Sequence, residues 1–499
     1  MANVLPADEM LAFGDSPETS IRILFVDLDG SLVASNTLVE SLLNAVRRDP
    51  TIALKAPGWL LKGRRVFKAK VAEQASLEVA GLPYRNEVLT TLAELKAKGC
   101  RLVLATASHY RVAQQVANHL GIFDDVLATD ETRNLKGRNK LAAIEQYCRD
   151  HGFQDFAYLG DTWADVPIWQ QASQAMLVAP PVRLHRRMAR RHRAITILHP
   201  RGAQWKLCLK ALRPHQWMKN ILVFLPLVLA HDFQWADRWK WICGLIAFAA
   251  FSACASSVYL ATDLLDLQAD RQPPRTRNRP FASGRLPLEF GLVASPLLAV
   301  IGVALSLFTA DARFPIMLLT YLASSALYCL WLKRVALVDV FLLSALYILR
   351  VQAGGMASGV PVSEWLLIFS LFFFLSLAFA KRFVEVDRLE LAADSADTGR
   401  GYRSVDSASL SSLGTTSGYI AVLVLALYIL SPDVRLLYQR PKMLCILCPI
   451  VLYWMSRLWM LARRNELHDD PVVFALKDRI SQLLGLAAAA SILLAWLLR

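Results

Sequence analysis

The sequence predicts a chain of two fold classes: an N-terminal α/β domain with a doubly wound parallel sheet and a small helical cap, fused to an all-α polytopic membrane bundle of about nine helices. Three observations predict it. The 499 residues are 55% hydrophobic and 19% charged, too apolar for two soluble domains and too charged for a chain lying wholly in a membrane. Residues 1–200 alternate short apolar strands with helical stretches, the pattern of a parallel sheet. From Gln216 onward, apolar runs of roughly 18 to 22 residues recur, long enough to cross a bilayer.

The opening MANVLPADEMLAFGDSPETS has no basic start followed by an apolar stretch, so the N-terminal domain is expected to stay in the cytoplasm. In IRILFVDLDGSLVASNT an apolar strand runs into Asp27, Asp29 and a Gly turn. Strand ends in open parallel sheets are where phosphate chemistry sits. CRLVLATASHY reads as a second strand ending at Thr106, NLKGRNK supplies Lys136 and Lys140, and DFAYLGDTWADVPIW is a third strand with Asp161 and Asp165 just beyond it. About seventy residues between the first two motifs are helix-like and predict a cap near 38–95. A strand ending in DxD is a weak signal alone, because acids also cap helices. Four pieces in this order are specific.

The formal net charge is +14. Much of the excess lies in PVRLHRRMARRHRAITILHPRG, part of a basic linker near 181–215, where such a run faces anionic headgroups. Membrane lipids are therefore expected partners, and nucleic acid is not, since no aromatic and basic recognition motif accompanies the charge. The eight cysteines are scattered, and Cys445 and Cys448 lack a second pair to complete a metal site, so they read as packing residues.

Within 216–499, spans are expected near 218–231, 240–262, 290–309, 313–332, 335–353, 363–381, 416–431, 443–461 and 480–498. With the N-terminus inside, the cytoplasmic loops hold Arg271, Arg275, Arg277, Arg279 and Arg285, then Lys333 and Arg334, then Lys381, Arg382, Arg388, Arg400 and Arg403. That asymmetry fits the positive-inside rule. It predicts an integral membrane protein with both candidate sites cytoplasmic.

In YLATDLLDLQADRQPPRTRNRPFASGRL, Asp263, Asp266 and Asp270 follow an apolar run at spacings of three and four, which align carboxylates along one side of a helix. Such carboxylates repel unless a cation joins them, and hard oxygen ligands suit Mg²⁺ carrying a diphosphate. Arg275, Arg277 and Arg279 offer charge-assisted forks for the remaining phosphate oxygens; local ion pairs on a solvated loop are the other reading of the arginines. Acids at a membrane boundary usually mark function. A second cluster, FAKRFVEVDRLELAADSADTGRGYRSVD, contains Lys381, Arg382, Glu385 and Asp387 and reads as a topology anchor or a second half-site. Asp339 and Arg350 lie about three turns apart on the fifth span, and Arg350 is either paired internally or faces substrate.

On these motifs the membrane half, from LRPHQWMKNILVFLPLVLA to the end, resembles the UbiA prenyltransferase superfamily, whose Asp-rich motif NDxxDxxxD binds Mg-diphosphate. Here the motif reads TDLLDLQAD, with Thr262 in place of the usual Asn. RPHQWMKN, NRPFASGRL, LRVQAGG and FAKRFVEV look most like the branch of decaprenyl-phosphate phosphoribosyltransferases, and KRxxEV stands where a second DxxxD is usual. The resemblance implies Mg²⁺ at Asp263, Asp266 and Asp270. It implies substrate contacts from Lys219, Asn220, Arg275, Arg277, Arg279, Arg350, Lys381, Arg382 and Glu385, with phosphoribosyl diphosphate and polyprenyl phosphate as substrates.

The soluble half resembles haloacid dehalogenase-like phosphatases. By that resemblance Asp27 is the nucleophile, Asp29 the general acid and base, and Thr106 and Lys136 hold the phosphoryl oxygens, with Lys140 the alternative lysine. Asp27, Asp29, Asp161 and Asp165 serve a second Mg²⁺, and Ser31 stands where Thr is usual. Together the halves imply transfer of 5-phosphoribose to the lipid, then removal of the 5-phosphate. A prenyltransferase acting on an aromatic acceptor beside an unrelated phosphatase, and an inactive lipid-binding scaffold, are the competing readings.

Overall fold

The computed structural model describes residues 21–497, apart from 76, 131–132, 191–194, 199–203, 232–233, 274–275, 392–400, 433, 435–437, 439 and 468–470. Arg275 and Arg400 thus lie outside the described residues. Two compact units emerge: Met1–Cys208 with Asp263–Gly291, and Leu209–Thr262 with Leu292–Arg499. A boundary near 216 divides the chain in sequence, yet the acidic segment Asp263–Gly291 groups with the N-terminal residues.

In the first unit, β1 (Ile23–Val26), β2 (Arg101–His109), β3 (Asp125–Thr129), β4 (Ala157–Gly160), β5 (Gln174–Val178) and β6 (Ile195–Leu198) form one sheet of order β3-β2-β1-β4-β5-β6. Every pairing is parallel. All four residues of β1 are buried, because helices cover both faces of such a sheet. Leu24 and Val26 pack on one face with Leu102, Leu104 and Leu159. Ile23 and Phe25 pack on the other with Val103, Ile144 and Tyr158. The strand order reverses at β1, so the residues after β1 and β4 meet at the switch point where ligands bind in open sheets.

Between β1 and β2 stand α1 (Thr37–Arg48), α2 (Ile52–Leu61), α3 (Arg64–Gln74) and α4 (Asn86–Ala97). Asn36 caps α1 by accepting from the Val39 N–H. The cap is shorter than the expected 38–95: Val88 and Leu92 of α4 are fully buried in the sheet core, so α4 belongs to the body. β2 also continues past Thr106 to His109, with a shift of register between Ala105 and His109.

The face of α1 carries the acidic segment. Both Nη atoms of Arg271 donate to the Glu40 carboxylate at 2.9 and 2.6 Å, Arg271 Nε holds Ala282 O at 3.0 Å, and the Ser35 hydroxyl bonds Glu40. Asn44 donates to Gln268 at 2.6 Å, and Arg47 reaches Asp266 at 3.5 Å. The Glu40 and Arg271 pair is almost fully buried, which is tolerable only because the fork satisfies both partners.

The chain continues with α5 (Tyr110–Leu120) and α6 (Arg138–His151), then with the long helices α7 (Arg238–Leu265), α8 (Leu288–Ser306), α9 (Phe314–Leu330), α10 (Val338–Ser358), α11 (Glu364–Leu391), α12 (Ser407–Leu430), α13 (Leu447–Arg463) and α14 (Arg479–Leu497). Among the described residues seven helices are long and apolar enough to cross a membrane; α9, with 17 residues, falls short of that length. Nine spans were expected. The first, 218–231, is instead a 3₁₀ stretch over Pro214–Phe224 and a short helix over Leu225–Leu229. Pro226 lacks the N–H that would join the two into one helix. Leu245, Leu297, Val300, Leu423 and Leu486 are exposed in the second unit, as befits helices whose outer faces meet lipid tails.

Candidate functional site

The loop after β1 brings two aspartates inward. Asp27 N–H donates to Leu159 O at 2.9 Å, which extends the ladder one residue before the chain turns. Gly30 makes the turn at φ +82°, and a Cβ there would overlap the Asp161 carboxylate; only glycine meets both demands. Asp161 follows β4 directly. Asp165, one turn on, accepts from the Thr162 N–H at 3.2 Å and the Thr162 hydroxyl at 3.0 Å. One oxygen from each of Asp27, Asp161 and Asp165 lies within 4.8 Å of the others.

The lysine brought to Asp27 is Lys140, not Lys136. Lys140 sits in the first turn of α6, 3% exposed, and its Nζ donates to Asp27 at 2.7 Å, to the Tyr158 hydroxyl at 2.8 Å and to Asp165 at 3.4 Å. Lys136 lines the same cavity from the turn before Gly137, without a bond to Asp27. Asp29 accepts from Thr37 N–H at 2.7 Å and from Ser108 Oγ at 2.5 Å. Its carboxylate is thus set apart from the three-carboxylate group, at a post suited to proton transfer. Thr106 is buried inside β2, and its hydroxyl accepts from Ser108 N–H at 3.0 Å. Sequence reasoning missed Ser108, Thr37 and Tyr158, which carry no motif spacing of their own.

Burial pushes the Asp27 carboxyl up to about 7, against the opposing pull of Lys140. Burial likewise raises Asp29, and burial and then the Asp27 charge hold Asp161 well above the usual range. For Lys140, burial alone would lower the pKa, but Asp27 and Asp165 outweigh it and raise it. A set of hard oxygen donors that resists ionisation by itself fits a divalent cation, which binds carboxylates only in their ionised form. Without a cation, native Asp27 keeps a proton that the unfolded chain has lost between about pH 4 and 7, so its contribution to stability falls as pH rises through that window. Mg²⁺ bound at this cluster would oppose this loss. The rise in unfolding midpoint caused by Mg²⁺ is therefore expected to be larger at about pH 8 than at about pH 5, and equal increments in calorimetry at the two values would count against a cation at this cluster.

The acidic segment departs from a single row on one helix. α7 ends at Leu265, Asp266 leaves helical geometry at φ −94°, ψ 13°, and a short helix resumes at Leu267. Asp263 and Asp270 share Arg279, whose Nη1 lies 3.3 and 2.6 Å from their oxygens. Asp266 turns instead to Arg47. Arg277 is exposed and lines the cavity that holds Asp27. The Thr262 hydroxyl is spent on Val258 O at 2.7 Å.

In the second unit, Arg350 is buried and donates to Asn220 Oδ1 and the Tyr321 hydroxyl, each at 2.9 Å, and to Leu346 O at 2.6 Å. Its partner is Asn220 and not Asp339. Lys219 lies 5.9 Å from the centre of the Tyr347 ring. Arg382 is buried between Asp339 and Glu385, with the Tyr328 hydroxyl at 2.9 Å, and Lys381 beside it is half-buried.

Comparison with known proteins places both halves. Residues 221–497 match the UbiA prenyltransferase family, and residues 24–170 match the haloacid dehalogenase-like hydrolases. Uncharacterized protein y4nM of Sinorhizobium fredii is 36% identical over 95% of this chain and 90% of its own length, so it contains both halves. Nodulation protein NoeC of Azorhizobium caulinodans is 34% identical over 56% of this chain and 90% of its own length. Decaprenyl-phosphate phosphoribosyltransferase of Mycobacterium tuberculosis is 30% identical over 57% of this chain and 92% of its own length. The chain is an integral membrane protein that belongs to the UbiA prenyltransferase family and carries a haloacid dehalogenase-like hydrolase domain at its N-terminal end.

Proposed function

We propose that the chain performs two consecutive reactions, transfer of 5-phosphoribose from phosphoribosyl diphosphate to polyprenyl phosphate and hydrolysis of the 5-phosphate, with the hydrolase in residues 1–200 and the transferase in 216–499. The observation that carries this reading is that Asp263–Gly291, the acidic segment of the transferase half, belongs to one compact unit with the Asp27 cluster. The similarity to a protein named decaprenyl-phosphate phosphoribosyltransferase supports the choice of donor and acceptor. The surplus of Lys and Arg in alternate loops supports a cytoplasmic position for both sites.

In the first reaction a phosphate oxygen of the lipid bonds to C1 of the pentose as the bond from C1 to the diphosphate oxygen breaks, giving polyprenyl-phosphate 5-phosphoribose and diphosphate. Arg279, between Asp263 and Asp270, offers positive charge to the leaving group. In the second, an Asp27 oxygen attacks phosphorus, and Asp29 gives a proton to the departing sugar oxygen. Asp29 then takes a proton from the water that splits the aspartyl-phosphate. Lys140 balances charge beside Asp27 throughout. Asp263 and Asp270 in one site, and Asp27, Asp161 and Asp165 in the other, would hold Mg²⁺, which when bound would neutralise phosphate oxygens.

The test is incubation of the purified chain with Mg²⁺, labelled phosphoribosyl diphosphate and polyprenyl phosphate. Label is expected in the organic phase only when polyprenyl phosphate is present. No organic-soluble label, or consumption of prenyl diphosphate with an aromatic acceptor instead, would overturn the transferase reading.

A further inference from the structure

We propose that the phosphatase site recognises a substrate bearing two phosphates: the monoester to be cleaved sits at Asp27, and a second phosphate is gripped by Arg277 and Arg285. This rests on the phosphatase reading above and adds the residues that hold the second phosphate. A cavity of about 1520 Å³ is lined by Asp27, Asp29 and Lys140 and also by Arg277 and Arg285, all within the first unit. That is far more room than a phosphoryl group needs, since pockets for whole drug-sized ligands run to roughly 300–1,000 Å³.

Local structure explains how the two arginines come to line the same cavity as the nucleophile. Gly284 adopts φ +68°, and a Cβ there would lie 2.7 Å from Ala34 Cβ and 2.8 Å from Ala34 O, so the loop bearing Arg285 presses on the backbone just beyond Asp29. Asn36 donates to Glu289 at 2.9 Å. Arg271 ties Ala282 O to Glu40. The arginine loop is thus pinned along 34–40, the stretch that leads out of the catalytic turn.

Within this segment the described arginines divide into two sets. Arg271 is committed to Glu40, and Arg279 to Asp263 and Asp270. Arg277 and Arg285 are exposed and have no side-chain bond among the described residues. Two uncommitted guanidinium forks in the wall of a phosphatase cavity suit a phosphate oxygen pair, whereas Lys140 is already committed to Asp27. The ligand chemistry is a phosphosugar with a second phosphate on the same sugar, whether free or esterified to a lipid.

The test compares removal of the 5-phosphate from ribose 5-phosphate, ribose 1,5-bisphosphate and a short-chain prenyl phosphodiester of ribose 5-phosphate by the purified full chain. Both compounds with a second phosphate are expected to be preferred over ribose 5-phosphate by roughly 10- to 100-fold in kcat/KM, the worth of charge-assisted hydrogen bonds. In an Arg277→Ala/Arg285→Ala chain the preference collapses to about one. Equal kcat/KM values in the unaltered chain, a preference kept by the double variant, or a preference for the prenyl compound alone each overturn the proposal. Equilibrium binding of the two soluble sugars to an Asp27→Asn chain makes the same comparison without turnover. The subsite is thereby judged even where failure of hydrolysis has overturned the phosphatase reading.

Discussion

An Asp27→Asn chain given phosphoribosyl diphosphate and polyprenyl phosphate is expected to accumulate a lipid that still carries its 5-phosphate, while release of inorganic phosphate falls by about 10³-fold or more. The amide is nearly the size of the carboxylate but cannot displace a leaving group from phosphorus. Lys140 keeps Tyr158 at 2.8 Å and Asp165 at 3.4 Å, so the pocket retains its cation in a bonded position. The first reaction has no use for Asp27, and labelled lipid continues to form. Mass spectrometry of the organic phase separates the phosphorylated and dephosphorylated lipids directly. Phosphate release at the original rate would remove Asp27 from the role of nucleophile. Loss of lipid label as well would mean that the substitution disturbs the unit containing Asp263–Gly291.

Much of the phosphatase site is legible because each motif lies at a strand end, and strand ends of a parallel sheet converge. The run ILFV before Asp27 and the run AYLG before Asp161 become adjacent strands β1 and β4, and that pairing alone brings the carboxylates together. The choice of lysine is not legible in the same way. Lys136 and Lys140 flank Gly137, and only the start of α6 at Arg138 decides which of them turns inward. The acidic motif shows the limit of periodicity: spacings of three and four describe one face of an unbroken helix, whereas this helix breaks at Asp266. What draws Asp266 aside is Arg47, more than two hundred positions away and silent in any local pattern. Hydropathy likewise counts apolar residues without seeing that Pro226 interrupts the backbone bonds of the first expected span.

Asp339→Ala is expected to destabilise the second unit by about 3–5 kcal/mol, read as a lowered unfolding midpoint in detergent. Asp339 is wholly buried and Arg382 is 1% exposed. The Arg382 guanidinium bonds Asp339, Glu385 and the Tyr328 hydroxyl, and the second Asp339 oxygen accepts from the Tyr402 hydroxyl at 2.5 Å. Removing the carboxylate leaves a buried cation with the partly exposed Glu385 as its carboxylate partner, and takes from the Tyr402 hydroxyl the acceptor of its proton, while the bond from the Leu337 N–H stays. Replacing both charges, as in Asp339→Ala/Arg382→Met, removes the uncompensated cation and is expected to recover much of the midpoint. That double variant also decides what the KRxxEV segment does. Recovery of both midpoint and lipid labelling would make Arg382 a strut of the bundle; recovery of the midpoint without labelling would make it a group that touches substrate. A midpoint unmoved by Asp339→Ala would overturn the ion pair itself as the source of stability.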